Sequence, residues 1–155
     1  MSGFAQSQTK LAMRPLPSAQ WSQVMALSGS PAWLVDTRRS ISRLAELQRG
    51  WEGASSPAPR REAINAANRL LEQIERYSEL PVPGVGPAVG GGLGIEWRYE
   101  SRDLDLEILP DGSIEYLKAD RKPSGFDVND MEVGPVSLEN PKEVRALVGW
   151  LMQGI

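Results

Sequence analysis

Four carboxylates carry most of the chemistry this sequence offers: Glu96, Asp105, Glu107 and Glu115. They fall within GLGIEWRYESRDLDLEILPDGSIEYLK, residues 92–118, where apolar and polar side chains alternate. Three uses suit such a set. Oxygen ligands from neighbouring strands can hold a divalent cation for phosphoester hydrolysis. The same charges can meet a basic protein surface, steering encounter and setting specificity. They can also simply keep a sheet face solvated. The chain has no histidine and no cysteine. That removes the usual zinc sites, the Ser-His-Asp and Cys-His triads, and the commonest general base. No lysine or nucleophile is placed beside the carboxylates by spacing, so no catalytic residue, metal ligand or cofactor is assigned. A nucleic-acid surface would have to come from Arg38, Arg39, Arg43, Arg60 and Arg61, and the net charge of −3 argues against it.

The elements that must position these carboxylates are strands. Leu93, Ile95, Trp97 and Tyr99 alternate with Gly94, Glu96 and Arg98, and Leu104, Leu106 and Ile108 alternate with Asp103, Asp105 and Glu107. Ile114 and Tyr116 continue the pattern. A period of two with one apolar face predicts a half-buried antiparallel sheet. A tight turn at Glu100-Ser101 sets Trp97 opposite Leu104, Ile95 opposite Leu106 and Leu93 opposite Ile108. A three-residue turn at Pro110-Asp111-Gly112, with Gly112 at positive φ, sets Ile108 opposite Ile114 and Leu106 opposite Tyr116. Both registers keep the large apolar side chains on one face, which a one-residue slip would destroy. On the other face Glu96 then opposes Asp105 and Glu107 opposes Glu115, with Arg98 opposite Asp103 as the one compensated pair.

The rest of the chain reads as helices and connections around that meander. Residues 1–19 are polar and broken by Pro15 and Pro17, without the continuous apolar core of a signal peptide, and no run approaches transmembrane length. They are expected to form a flexible arm before a single domain over 20–155, and the location is expected to be cytoplasmic. A short helix is expected over Gln20–Ser28, and a second over Thr37–Arg49, capped by Asp36 and stopped at Gly50. The strongest helical periodicity runs from about Arg60 to Tyr77, with Ala63, Ala66 and Ala67 making a narrow face. Residues 80–91 (LPVPGVGPAVGG) read as an extended, polyproline-like connection. Gly90 to Gly94 fail as a phosphate loop because they open a strand rather than a helix. Residues 119–130 read as a polar loop, and Met131–Val136 as a fourth strand. Asn140-Pro141-Lys142-Glu143 starts a last helix striped by Val144, Leu147, Val148 and Leu151, with Trp150 off the stripe. Charge divides unevenly, +3 over residues 1–79 and −6 over residues 80–155.

Four of these segments together resemble a group of short bacterial proteins. They are Gly50-Trp51-Glu52-Gly53, the helix from Pro59 to Leu71, the Gly91–Trp97 run ending in Ile-Glu-Trp, and the hairpin from Leu104 to Tyr116. That group has a Gly-Trp-Asp-Gly turn, a helix, a Gly-Gly-x-x-Leu-Glu-Trp strand and a Pro-Asp-Gly hairpin. Here Glu52 replaces the aspartate, and Arg60 stands where a serine would cap the helix. The resemblance implies a shape and a bacterial setting, and it assigns no catalytic residues.

The expected fold is α+β: a three- to four-stranded antiparallel sheet packed against two or three helices. The expected function is that of a non-enzymatic, protein-binding module of bacterial or phage origin. It would inhibit or neutralise a macromolecular partner with a basic surface, as an antitoxin or an inhibitor of host defence does. Glu96, Asp105, Glu107 and Glu115 would meet that partner, and Trp51, Trp97 and Trp150 are the candidate anchors. The alternatives are a divalent-metal-dependent phosphoester hydrolase using the sheet carboxylates and a nucleic-acid-binding accessory protein. A membrane role is not expected. A homodimer through a sheet edge or an amphipathic helix is a further option.

Overall fold

The computed structural model describes residues 29–51, 57–121 and 130–153. In chain order these form helix α1 (Ala32–Ala45), helix α2 (Arg61–Ile74), strand β1 (Gly84–Ala88), a single 3₁₀ turn at Val89–Gly91, strands β2 (Gly92–Tyr99), β3 (Arg102–Ile108), β4 (Ile114–Asp120) and β5 (Met131–Val136), and helix α3 (Pro141–Met152). The sheet is a five-stranded meander in which each strand pairs antiparallel with the next. The fold is thus α+β, with one more strand than the alternation predicts.

The central registers follow the hydrophobic pattern. Trp97 lies opposite Leu104, Ile95 opposite Leu106 and Leu93 opposite Ile108, and Ile108 faces Ile114 with Leu106 facing Tyr116. Tyr99 pairs with Arg102 across a two-residue turn, in which Glu100 takes φ 54°. The Pro110-Asp111-Gly112 turn is closed by the Leu109 N–H donating to the Ser113 carbonyl at 2.8 Å, with Gly112 at φ 90°. The Asp111 carboxylate accepts from both the N–H and the hydroxyl of Ser113, which holds its carboxyl below the ordinary aspartate range.

The additional strand is β1, in the segment read from sequence as a polyproline-like connection. Its residues, Gly-Val-Gly-Pro-Ala, carry almost no side chains that could show alternation. It lies at the sheet edge, where a proline's missing N–H need not interrupt a ladder. Gly90 and Gly91, at φ 83° and 98°, turn the chain from β1 into β2. Helix α1 also differs from expectation. It starts at Ala32, directly after Pro31, so Asp36 sits inside it rather than capping it. Burial explains the shift: Trp33, Leu34, Ile41 and Leu44 form the stripe that meets the core, and starting at Thr37 would discard half of it. Gly50, at φ 86°, turns the chain beyond the helix. At the start of α3, Asn140 occupies the cap position without a side-chain cap bond. Glu143 instead accepts from the Ser137 N–H at 2.7 Å. The arm over 1–19, the expected helix over 20–28, Glu52 and Gly53, and most of the loop before β5 lie outside the described residues.

The core lies between the helices and one face of the sheet. Ala63, Ala66 and Ala67 of α2 are buried there with Leu93, Ile95, Trp97, Leu104 and Ile108. Small alanine side chains let a helix backbone approach a sheet closely. The Arg60 N–H donates to the Gly91 carbonyl at 2.8 Å, which ties the start of α2 to the start of β2. A Cβ on Gly92 would lie 2.3 Å from the Ile108 carbonyl oxygen, a backbone atom that cannot step aside, whereas one on Gly94 would meet nothing within 4 Å. Gly92→Ala is therefore expected to cost about 1–3 kcal/mol by overpacking. Gly94→Ala, which meets no such clash, should unfold at or slightly above the parent's midpoint in the same denaturant titration, because alanine lowers the entropy of the unfolded chain.

Candidate functional site

Because side chains alternate across a strand, burying one face of the meander exposes the other. Two rows of residues cross that open face. One runs Gly86, Gly94, Glu107, Glu115, Pro135, and the other Gly84, Glu96, Asp105, Leu117, Val133. Together they line a trough of about 930 Å³ that reaches from β1 to β5. Its floor on the β1–β2 side is nearly bare main chain, since a Cβ on Gly84, Gly86 or Gly94 would meet open space. Its middle is acidic. Its far side is apolar, with Val133 69 % exposed.

The four carboxylates singled out in the sequence are brought together. Glu96 pairs directly with Asp105, and Glu107 with Glu115. Like charges set opposite one another on a sheet repel. The neighbouring Asp103 accepts ion pairs from Arg98 at 3.4 Å and from Arg121 at 2.9 Å, so cationic compensation sits one residue pair away from Glu96 and Asp105. Burial pushes the Asp105 carboxyl above its ordinary range. Glu96 and Asp103 push it further, and Arg98 draws it partly back.

The candidate anchors Trp51, Trp97 and Trp150 do not line this face. Trp97 is fully buried on the helix side, where its indole N–H donates to the Pro81 carbonyl at 3.1 Å. It therefore cannot anchor a partner, because the alternation that exposes Glu96 turns the next side chain inward. Trp150 also lies on the helix side of the sheet, partly buried against the core. The Arg102 guanidinium sits 4.7 Å and the Lys118 ammonium 5.1 Å from its ring centroid, so its ring is already engaged by cations of its own chain. Trp51 is half-exposed and donates its indole N–H to the Pro57 carbonyl at 2.9 Å. Among the described residues, it does not line the trough.

The alternative chemistries gain less from this geometry. Among the described residues, no group of three or more Asp or Glu side chains is placed to hold a metal ion. The carboxylates stand in facing pairs along a flat face rather than around a common point. The arginines do not form one patch either. Arg38 approaches Glu75 just beyond the end of α2. Arg60 and Arg61 stand at the other end of that helix, about 20 Å away at 1.5 Å per residue. Among the described residues, no helix is long and apolar enough to cross a membrane.

Sequence reasoning missed the floor and the apolar side of the trough. Gly84 and Gly86 belong to a strand whose composition hides it. Leu117 and Val133 break the polar alternation of the open face, and that break was the available signal.

The folded-state pKa of Asp105 stands above its unfolded one. Its protonated form therefore contributes stability that is fully present below the ordinary value of 3.8 and lost as pH rises through the raised folded value. Asp105→Asn is accordingly expected to melt at a higher temperature than the parent near neutral pH. The difference should close as the pH falls below the ordinary aspartate range, as read from thermal melts across pH.

Comparison of the chain with protein-family models, with curated proteins and with solved structures returns no match to any of them.

Proposed function

We propose that this protein is a non-enzymatic binding module whose open sheet face receives a basic surface of a macromolecular partner and thereby inhibits or neutralises it. The observation that carries this reading is the trough itself. Among the described residues the helices cover one side of the sheet and none covers the other, where Glu96 is set against Asp105 and Glu107 against Glu115. The Asp105 carboxyl is raised first by burial and then by repulsion from Glu96 and Asp103, and a cationic partner would relieve the second part. Electrostatic complementarity of this kind raises association rates and rejects partners of the wrong sign. An antitoxin or a phage-encoded inhibitor of a host protein would use such a surface, and the resemblance to short bacterial proteins fits that setting.

The same charges oppose face-to-face self-association, because two copies meeting on this side would bring eight carboxylates together, four from each. A heterologous basic partner is therefore preferred over a homodimer through the trough.

The test is affinity capture from a lysate of the natural host with the parent chain and with Asp105→Lys/Glu107→Lys. One stoichiometric basic protein should be held by the parent and released by rising salt, and the variant should fail to hold it while keeping the parent's circular dichroism. Retention of the same partner by the charge-reversed variant would end the proposal.

A further inference from the structure

The shape of the trough narrows what the basic partner presents, an inference that rests on the proposed function above. Extended peptides commonly bind a sheet by adding a strand at its edge. Both edges here are poor templates. β1 carries Pro87 and β5 carries Pro135, and each proline removes a main-chain donor from the row that an added strand would need. The face, by contrast, has room. Gly84, Gly86 and Gly94 leave open space where side chains would stand, and across five strands the face measures about 19 Å at ~4.8 Å per strand. A helix with its side chains is about 10–12 Å across, so it can lie on the glycine floor within that width. Beside the floor stand Asp105 and Glu107, within reach of lysine or arginine side chains.

We infer that the open face accepts a basic amphipathic helix of the partner. Its apolar stripe rests on the glycine floor of β1 and β2, and its lysines or arginines face Glu96, Asp105 and Glu107. The floor supplies contact without polar side chains to desolvate. The carboxylates supply orientation, since a helix turned over would place its basic stripe towards solvent. Helix-in-groove recognition reads an apolar stripe in this way, and the adjoining acidic row adds a requirement for charge on one flank.

The probe is a synthetic Lys/Leu peptide of about 18 residues, five helical turns, labelled for fluorescence anisotropy. A scrambled peptide of the same composition, which cannot segregate its leucines and lysines, serves as its partner. Both are titrated into the parent chain, into Gly86→Leu/Gly94→Leu, and into Asp105→Asn/Glu107→Gln. The leucines, on directly paired positions, fill the floor, and the Cβ of each meets nothing within 4 Å; circular dichroism checks that the fold is kept. The neutral pair removes charge at constant shape. The amphipathic peptide is expected to bind the parent at least about tenfold more tightly than the scrambled one, and each double variant should abolish that advantage. Equal binding of both peptides, lost on charge removal, overturns the helix and leaves the basic-partner reading standing. Binding of the amphipathic peptide that survives charge removal counts against both. Unchanged binding to the leucine-filled variant removes the glycine floor as the seat. Two other occupants overturn the inference as well. One is a second copy, seen as a dimer by sedimentation that the neutral pair strengthens. The other is the chain's own Lys10 and Arg14, seen as peptide binding that appears only in Lys10→Glu/Arg14→Glu.

Discussion

Two tryptophans packed edge to face hold this structure to a single arrangement. Trp33 of α1 and Trp97 of β2 have ring centroids 6.3 Å apart with planes at 74°, a geometry in which the ring edge of one meets the ring face of the other. Each also donates its indole N–H to a backbone carbonyl, Trp33 to Tyr77 at 2.8 Å and Trp97 to Pro81 at 3.1 Å. Those two carbonyls bracket the chain between α2 and β1. One contact thus joins helix α1, strand β2 and the lead-in to the edge strand. It also satisfies both buried donors, which would otherwise be costly to leave unpaired.

With Trp97 fixed on the helix side, the strand period leaves no freedom to its neighbours. Glu96 and Arg98 must face away, and the pairing partners Asp105 and Asp103 must follow. The open face is therefore a consequence of how the core is packed, and its charges need no separate device to position them. They do carry a cost, since facing carboxylates repel. Two such pairs stand in the middle strands, with cations grouped around Asp103 instead, and it is on that arrangement that a basic partner is proposed.

The ends of the sheet complete the same design. Proline in both outer strands weakens the edges as templates for further strands, and the glycines of β1 and β2 open the face near one edge. On the opposite side, β4 and β5 carry a separate polar group. Tyr116 donates to Glu132 at 2.7 Å, Lys118 pairs with Glu132 at 3.2 Å, and both Lys118 and Arg102 lie over Trp150. These cations and rings engage one another, which closes that end of the helix layer.

The sequence by itself determined the central meander, its two registers and the facing of its carboxylates, because a period of two admits one arrangement that buries Leu93, Ile95, Leu104, Leu106 and Ile108 together. It also determined α2 and α3, whose apolar stripes are long and regular, and the strand at Met131–Val136. Tertiary structure alone decided the rest. β1 exists because β2 offers it a partner, and five residues rich in glycine and proline carry no pattern of their own. The start of α1 follows from what Trp33 and Leu34 meet in the core, which outweighed the local capping preference of Asp36. The inward position of Trp97 was implicit in the alternation that exposes Glu96, whereas the engagement of Trp150 by Arg102 and Lys118 required three distant segments to be brought together. The trough likewise belongs to no single segment. Its floor, its charges and its apolar side come from five strands, and only their pairing places them side by side.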